Sequence, residues 1–260
     1  MNFESTLVFD IETVPDTDGG RRLYGLDGLD DNEVRAYMQS RRVQEKGNDF
    51  MPAYLQRVVA IAVVFRRGDD AFDVRSIGEP GDSEAQLLTR FFDGIERSRP
   101  RLVSWNGSGF DLPVLHHRAL LNGVSAASYW ETGRFDRERK YANYISRYHE
   151  QHIDVMDMLA MFNARNYAPL SDIAQLLGYP GKLGMDGSKV AEAFAAGAID
   201  EIRAYCETDA LNTYLVYLRF MRMRGWLSEA EEAAEIERAQ GWLSERTEPH
   251  WSDFADAFTA

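Results

Sequence analysis

Residues 57–67, RVVAIAVVFRR, constrain the fold more than any other part of the chain. Apolar and β-branched side chains follow one another without polar alternation, the pattern of a central strand covered on both faces. Residues 6–11 (TLVFDI) read as a strand of the same character. After Gly68-Asp69-Asp70, residues 72–77 read as a third strand, and the short spacing predicts a hairpin of antiparallel neighbours. Residues 82–98 carry apolar side chains at 85, 87, 88, 91, 92 and 95, a helical period. A fourth strand at 101–105 (RLVSW) and a helix at 112–121 follow. From about 154 onward the pattern is helical, over 155–163, 170–177, 188–196, 199–222 and 228–245. Residues 16–54 form a polar insertion with a helical stretch over 31–44 and a break at 47–49. Early strands, then alternating helix and strand, then helices describe one α/β domain with a mixed sheet.

The charge balance, 29 basic against 42 acidic side chains for a net −13, lacks the basic footprint usual in nucleic-acid-binding domains. Surplus carboxylates suit a solvated surface, or a site where bound cations neutralise them. The single cysteine, Cys206, excludes an intramolecular disulfide framework and a cysteine-cluster zinc site. No apolar run reaches the ~18 residues of a membrane span, and no charged segment followed by an apolar one opens the chain. The expectation is a soluble cytoplasmic protein with no membrane partner.

Three constellations carry chemistry. The first strand ends in Asp10-Ile11-Glu12, and alternation puts both carboxylates on one face with Phe9 and Ile11 on the other. Buried together they repel and resist ionisation unless cations compensate. The same tripeptide also fits a strand that simply ends, with Glu12 already in a loop. The second is residues 104–115, SWNGSGFDLPVL, where a strand runs through a turn of small residues into a helix. Asp111 reads equally as a helix N-cap with Pro113 in the first turn. A polar turn at the carboxyl end of a central strand is, however, where α/β proteins usually bind ligands. The third is Tyr205-Cys206-Glu207-Thr208-Asp209 in a long helix, where Tyr205 and Asp209 share a face.

Taken in order, D-x-E, N-x3-F-D and Y-x3-D are far more specific than any one of them. Over residues 5–225 the chain resembles the tyrosine-bearing branch of the DEDD 3′–5′ exonucleases of ribonuclease H-like fold. It is most similar to the predicted exonucleases related to the proofreading domain of family B DNA polymerases. The resemblance extends to HIDVMDML (152–159) and LGYPGKLGMDGSKV (177–190). It implies a mixed sheet of five to six strands flanked by helices, with a helical C-terminal half. Residues 1–225 would form the exonuclease domain, interrupted by the 16–54 insertion, and 226–260 a helix and tail packed on it. Asp10, Glu12, Asp111 and Asp209 would bind two Mg²⁺ or Mn²⁺ ions, and Tyr205 would orient the attacking water. An ordinary phenol, of pKa near ~10, is a poor base at neutral pH, so positioning suits it better.

Asn106 and Phe110 match positions near the terminal nucleotide, and Lys182 a lysine reaching toward the phosphate; a turn asparagine and a solvated loop lysine are the plainer readings. Asp154 reads as the cap of the following helix, and His152 as structural. Residues 134–148 (RFDRERKYANYISRY) carry five basic and two acidic side chains among four aromatic rings. That composition fits a single-strand groove or, equally, a solvated amphipathic helix. Trp251, Phe254 and Phe258, at helical spacing, suit packing on the domain.

The expected activity is removal of nucleoside 5′-monophosphates from 3′ ends of single-stranded DNA or RNA. The chain is too short to include a polymerase domain, so any partnership with replication or repair machinery would be in trans. The alternatives are a catalytically silent binding or scaffold member of the fold, and an acidic metal-binding protein without a nucleic-acid partner.

Overall fold

The computed structural model describes residues 5–68 and 71–259, and Asp69 and Asp70 lie outside them. Strands Thr6–Pro15 (β1), Gln56–Arg67 (β2), Ala71–Ser76 (β3), Arg101–Ser104 (β4) and His152–Asp154 (β5) form one sheet of order β3-β2-β1-β4-β5. β2 runs antiparallel to both of its neighbours, while β1, β4 and β5 are parallel. The β2–β3 hairpin is therefore as expected, and the mixed five-stranded sheet is the arrangement of a ribonuclease H-like fold.

Helices Thr17–Tyr24 (α1) and Asp31–Lys46 (α2) lie in the insertion, Glu84–Ser98 (α3) follows β3, and Asp111–Asn122 (α4) and Ala127–Trp130 (α5) lie between β4 and β5. After β5 come Val155–Leu159 (α6), Leu170–Leu176 (α7), Val190–Ala195 (α8), Ile199–Met223 (α9), Glu229–Ser244 (α10) and Pro249–Thr259 (α11). Boxes of paired side-chain and backbone hydrogen bonds start α2 (Asp30/Glu33), α3 (Ser83/Gln86) and α10 (Ser228/Glu231).

Alternation along the strands divides the core into two layers. Leu7, Phe9 and Ile11 pack with Leu88, Phe91 and Ile95 of α3 and Leu112 and Leu115 of α4. Val8, Ala60, Ala62 and Val64 pack on the opposite side against Leu211, Tyr214, Leu215 and Leu218 of α9. α9 is buried on several sides because Leu243, Trp251 and Phe254 of the last two helices join that same layer. The C-terminal tail is thus itself a helix, and its aromatic residues pack inward.

Four local expectations change. β1 continues through Glu12 to Pro15, with the pairing to β2 shifting after Glu12 so that Val59 is skipped. The stretch 155–163 is helical only to Leu159, because Met161 and Phe162 adopt left-handed φ of 53° and 58°. Residues 188–196 divide into a 3₁₀ turn and α8. Residues 134–148 form no amphipathic helix, having only a 3₁₀ turn at Arg137–Lys140, with Tyr144 buried and stacked on Tyr129.

Candidate active site

β1 pairs with β4 only from Thr6 to Val8, after which the two strands diverge. The chain leaves β1 toward β2 on one side and returns through β4 on the other. This is the switch point at which a crevice opens beyond the carboxyl ends of parallel strands. Asp10 and Glu12 lie on β1 at this crevice, opposite Ala62 and Ala60 of β2. These small, fully buried partners leave the space above them to α9. Asp209, on α9, closes the group. Carboxylate oxygens of Asp10, Glu12 and Asp209 all lie within 4.8 Å of one another.

Asp111 approaches from the other layer. It is the first residue of α4, and Phe110 occupies the cap position without a capping side chain. The Asp111 carboxylate is instead held down in pKa by its own backbone amide and by that of Ile11 on β1. The N-cap reading of Asp111 is therefore replaced by a cross-strand role, which puts its charge beside Asp10 and Glu12.

Burial is the main reason that all four acids resist ionisation. Asp10 is pushed well above the ordinary carboxylate range by burial and then by Asp111, Glu12 and Asp209, opposed by a hydrogen bond from Cys206. Glu12 is raised by burial, then Asp209 and Asp111, with Lys182 opposing. Burial lifts Asp111 to about 7. Asp209 rises by burial to about 6, held down by the Tyr205 hydroxyl and by Lys182. Burial, then Asp209 and Glu12, push the Tyr205 phenol upward, so it stays protonated and donates toward Asp209. Lys182 also sits over the Tyr205 ring, its Nζ 5.8 Å from the centroid.

The 104–111 turn is built for close approach. A Cβ on Gly107 would lie 2.2 Å from Ser104 Oγ, and one on Gly109 would lie 2.4 Å from Asn106 Oδ1. The Asn106 side chain folds over Gly109, and its backbone is left-handed at φ 65°. Phe110 packs at a tilt against Phe50 of the insertion, ring centroids 5.5 Å apart. Asp154 caps α6 as expected, accepting from Asp157 N at 3.1 Å. Sequence reasoning missed its larger task, which is to clamp the turn by accepting Asn106 N at 3.0 Å and Ser108 N at 2.8 Å. It also missed Cys206, whose Sγ lies 3.4 Å from Asp10 Oδ2. The available signal was the three-residue spacing of Cys206 and Asp209 on one helix. His152 is held by Ser104, at 2.9 Å from its Oγ, and lies away from the carboxylates in a structural position.

With this geometry established, comparison with known proteins adds the lineage. Residues 48–258 match the family described as "Predicted 3′-5′ exonuclease related to the exonuclease domain of PolB". The chain belongs to this family. In this member of the PolB-exonuclease-related family, the matched segment includes Asp111, Tyr205 and Asp209, while Asp10 and Glu12 precede it. The chain is 24% identical over 145 residues to the catalytic subunit of DNA polymerase epsilon from Saccharomyces cerevisiae, covering 54% of this chain and 6% of that one. For the corresponding Schizosaccharomyces pombe polymerase the identity is 28% over 145 residues, covering 53% and 6%. The chain thus corresponds to a small fraction of either polymerase. A solved family B DNA polymerase from Pyrobaculum calidifontis is 20% identical with a TM-score of 0.48, covering 82% of this chain and 24% of that one. No described helix is long and apolar enough to cross a membrane.

Proposed function

We propose that this protein is a metal-dependent 3′–5′ exonuclease that removes nucleoside 5′-monophosphates from the 3′ ends of single-stranded nucleic acid. The observation that carries the reading is the carboxylate group of Asp10, Glu12 and Asp209, within 4.8 Å of one another, with all three raised in pKa by burial and Asp10 and Glu12 further raised by their acidic neighbours. An all-oxygen donor set of this kind, opposed by Lys182, fits hard divalent cations such as Mg²⁺ or Mn²⁺. Asp10, Glu12 and Asp209 would hold them, with Asp111 completing the four acids of a two-ion site. When bound, such ions supply Lewis acidity at the phosphodiester and countercharge for its attacking and leaving oxygens.

The protein's own groups have separable tasks. Tyr205 remains a protonated phenol, so it orients water by hydrogen bonding rather than removing its proton. Lys182 supplies positive charge on the Asp209 side for the substrate phosphate. Asn106 and Phe110, set by a turn whose glycines make room for the Ser104 and Asn106 side chains, would lie beside the terminal nucleotide. The relatives' name, DNA polymerase, favours DNA over RNA and makes association in trans with replication or repair machinery part of the same reading.

Polarity tests it. A linear single strand with a free 3′ hydroxyl should be shortened from that end, and a 3′-terminal phosphate should slow the reaction strongly. Rapid cutting of circular single strands would contradict the exonuclease reading.

A further inference from the structure

Beside the Asn106 turn lies a cavity of about 310 Å³ that none of Asp10, Glu12, Asp111 and Asp209 lines. We propose that this cavity receives a nucleobase of the substrate strand, with Arg147 at its mouth holding an adjoining phosphate. The proposal deepens the exonuclease reading and takes from it the identity of the strand.

The lining has two chemically distinct ends. Trp130, Tyr144 and Phe162 present aromatic walls, and the His116 ring packs at a tilt against Tyr129 and Trp130 at centroid distances of 4.6 and 4.7 Å. Nε2 of His116 is buried and has no hydrogen-bond partner among the described residues. A buried polar atom of this kind calls for a ligand or water. Burial pushes the His116 imidazole down to about 4, so at neutral pH it offers a neutral ring to a neutral base. The acidic members are Asp154 and Asp157. Asp154 is engaged by the Asn106 and Ser108 amides, and Asp157 accepts the Tyr167 hydroxyl at 2.8 Å. Their charge favours the amino and imino donors of a base at the inner end and excludes a phosphate from it.

Phosphate chemistry lies outside. The Arg147 guanidinium sits 5.2 Å from the Phe162 ring centroid, and the same segment carries the exposed pairs Arg134–Phe135 at 5.1 Å and Lys140–Tyr141 at 5.3 Å. Exposed cations beside exposed rings, on a chain of net charge −13, complement a polyanion with stackable bases. The left-handed backbone at Met161 and Phe162 sets the rim. Such conformations in bulky side chains are sparsely populated and cluster at ligand clamps. Ser108 of the turn and Leu112, the chain neighbour of Asp111, both line the cavity.

The test is equilibrium binding of 5′-labelled single-stranded DNA and RNA oligonucleotides in chelator, followed by fluorescence anisotropy over a range of salt. Phe162→Ala and Arg147→Ala alter exposed side chains, and thermal melts check that both variants fold. Each should weaken binding of at least one strand type by roughly tenfold. Arg147→Ala should also reduce the slope of log affinity against log salt by about 0.7, and Phe162→Ala should leave that slope unchanged. Affinities for both strands within twofold of wild type in both variants would overturn the proposal, as would a wild type that binds neither strand. Wild-type hydrolysis with Mg²⁺ is read separately. Normal hydrolysis with variant-insensitive binding removes the pocket and keeps the nuclease. Variant-sensitive binding without hydrolysis does the reverse.

Discussion

Asp111, Asp209 and Tyr205 make separable predictions about single side chains. Asp111 and Asp209 are lifted to about 7 and about 6 in the fold, against 3.8 for an ordinary aspartate. Between those limits the two aspartates bind more protons in the fold than in the unfolded chain, so their contribution to metal-free stability is full below about pH 4 and is lost as pH rises through about 6 to 7. Thermal melts in chelator should show Asp111→Asn gaining stability relative to wild type as pH rises from about 4 to 7; a difference between the two that does not change with pH would contradict the carboxylate electrostatics. Asp10→Ala removes one of the mutually repelling charges and should leave the metal-free melting temperature equal or higher. Tyr205→Phe keeps the ring and every carboxylate, so metal affinity should hold while turnover falls by roughly 10- to 1000-fold. Asp209→Asn should weaken metal binding as well. Single-turnover cleavage against metal concentration distinguishes the two, and a fully active Tyr205→Phe would leave the phenol with a packing role only.

Among the elements, the β4–α4 turn depends on a residue 48 positions away along the chain. Asp154→Ala removes the acceptor for the amides of Asn106, Ser108 and Asp157, and should cost roughly 1–3 kcal/mol in urea denaturation. A loss of turnover should accompany it; unchanged stability and turnover would show that the turn holds itself. Here the reach of sequence reading is visible. Strands with unbroken apolar runs and helices with a strong period were legible, and so was the D-x-E face, because strand alternation fixes it locally. β5 was not, since three residues carry too little periodicity to separate a strand from the helix after it. α1 was hidden by its Gly19-Gly20 pair, poor in helix propensity, yet Gly20 is where Met38 and Val34 pack so closely that a Cβ would lie 2.3 Å from the Met38 sulfur. Asp111 looked like a cap because the Ile11 amide and the other acids are brought beside it only by the tertiary fold.

In the whole molecule, the net charge of −13 and the proposed polyanionic substrate are reconciled by distribution. Acids converge where β1 and β4 separate, and exposed cation–ring pairs gather on the neighbouring 134–148 segment. In the proposed reading, divalent cations would let a phosphodiester approach the four carboxylates. The most direct measurement is the time course of a 5′-labelled single strand incubated with wild type or Asp10→Ala, in Mg²⁺, Mn²⁺ or chelator. The account predicts a ladder shortening from the 3′ end with wild type and divalent metal, and an intact strand in chelator or with folded Asp10→Ala. Degradation that proceeds equally in chelator, or equally with Asp10→Ala, would contradict it.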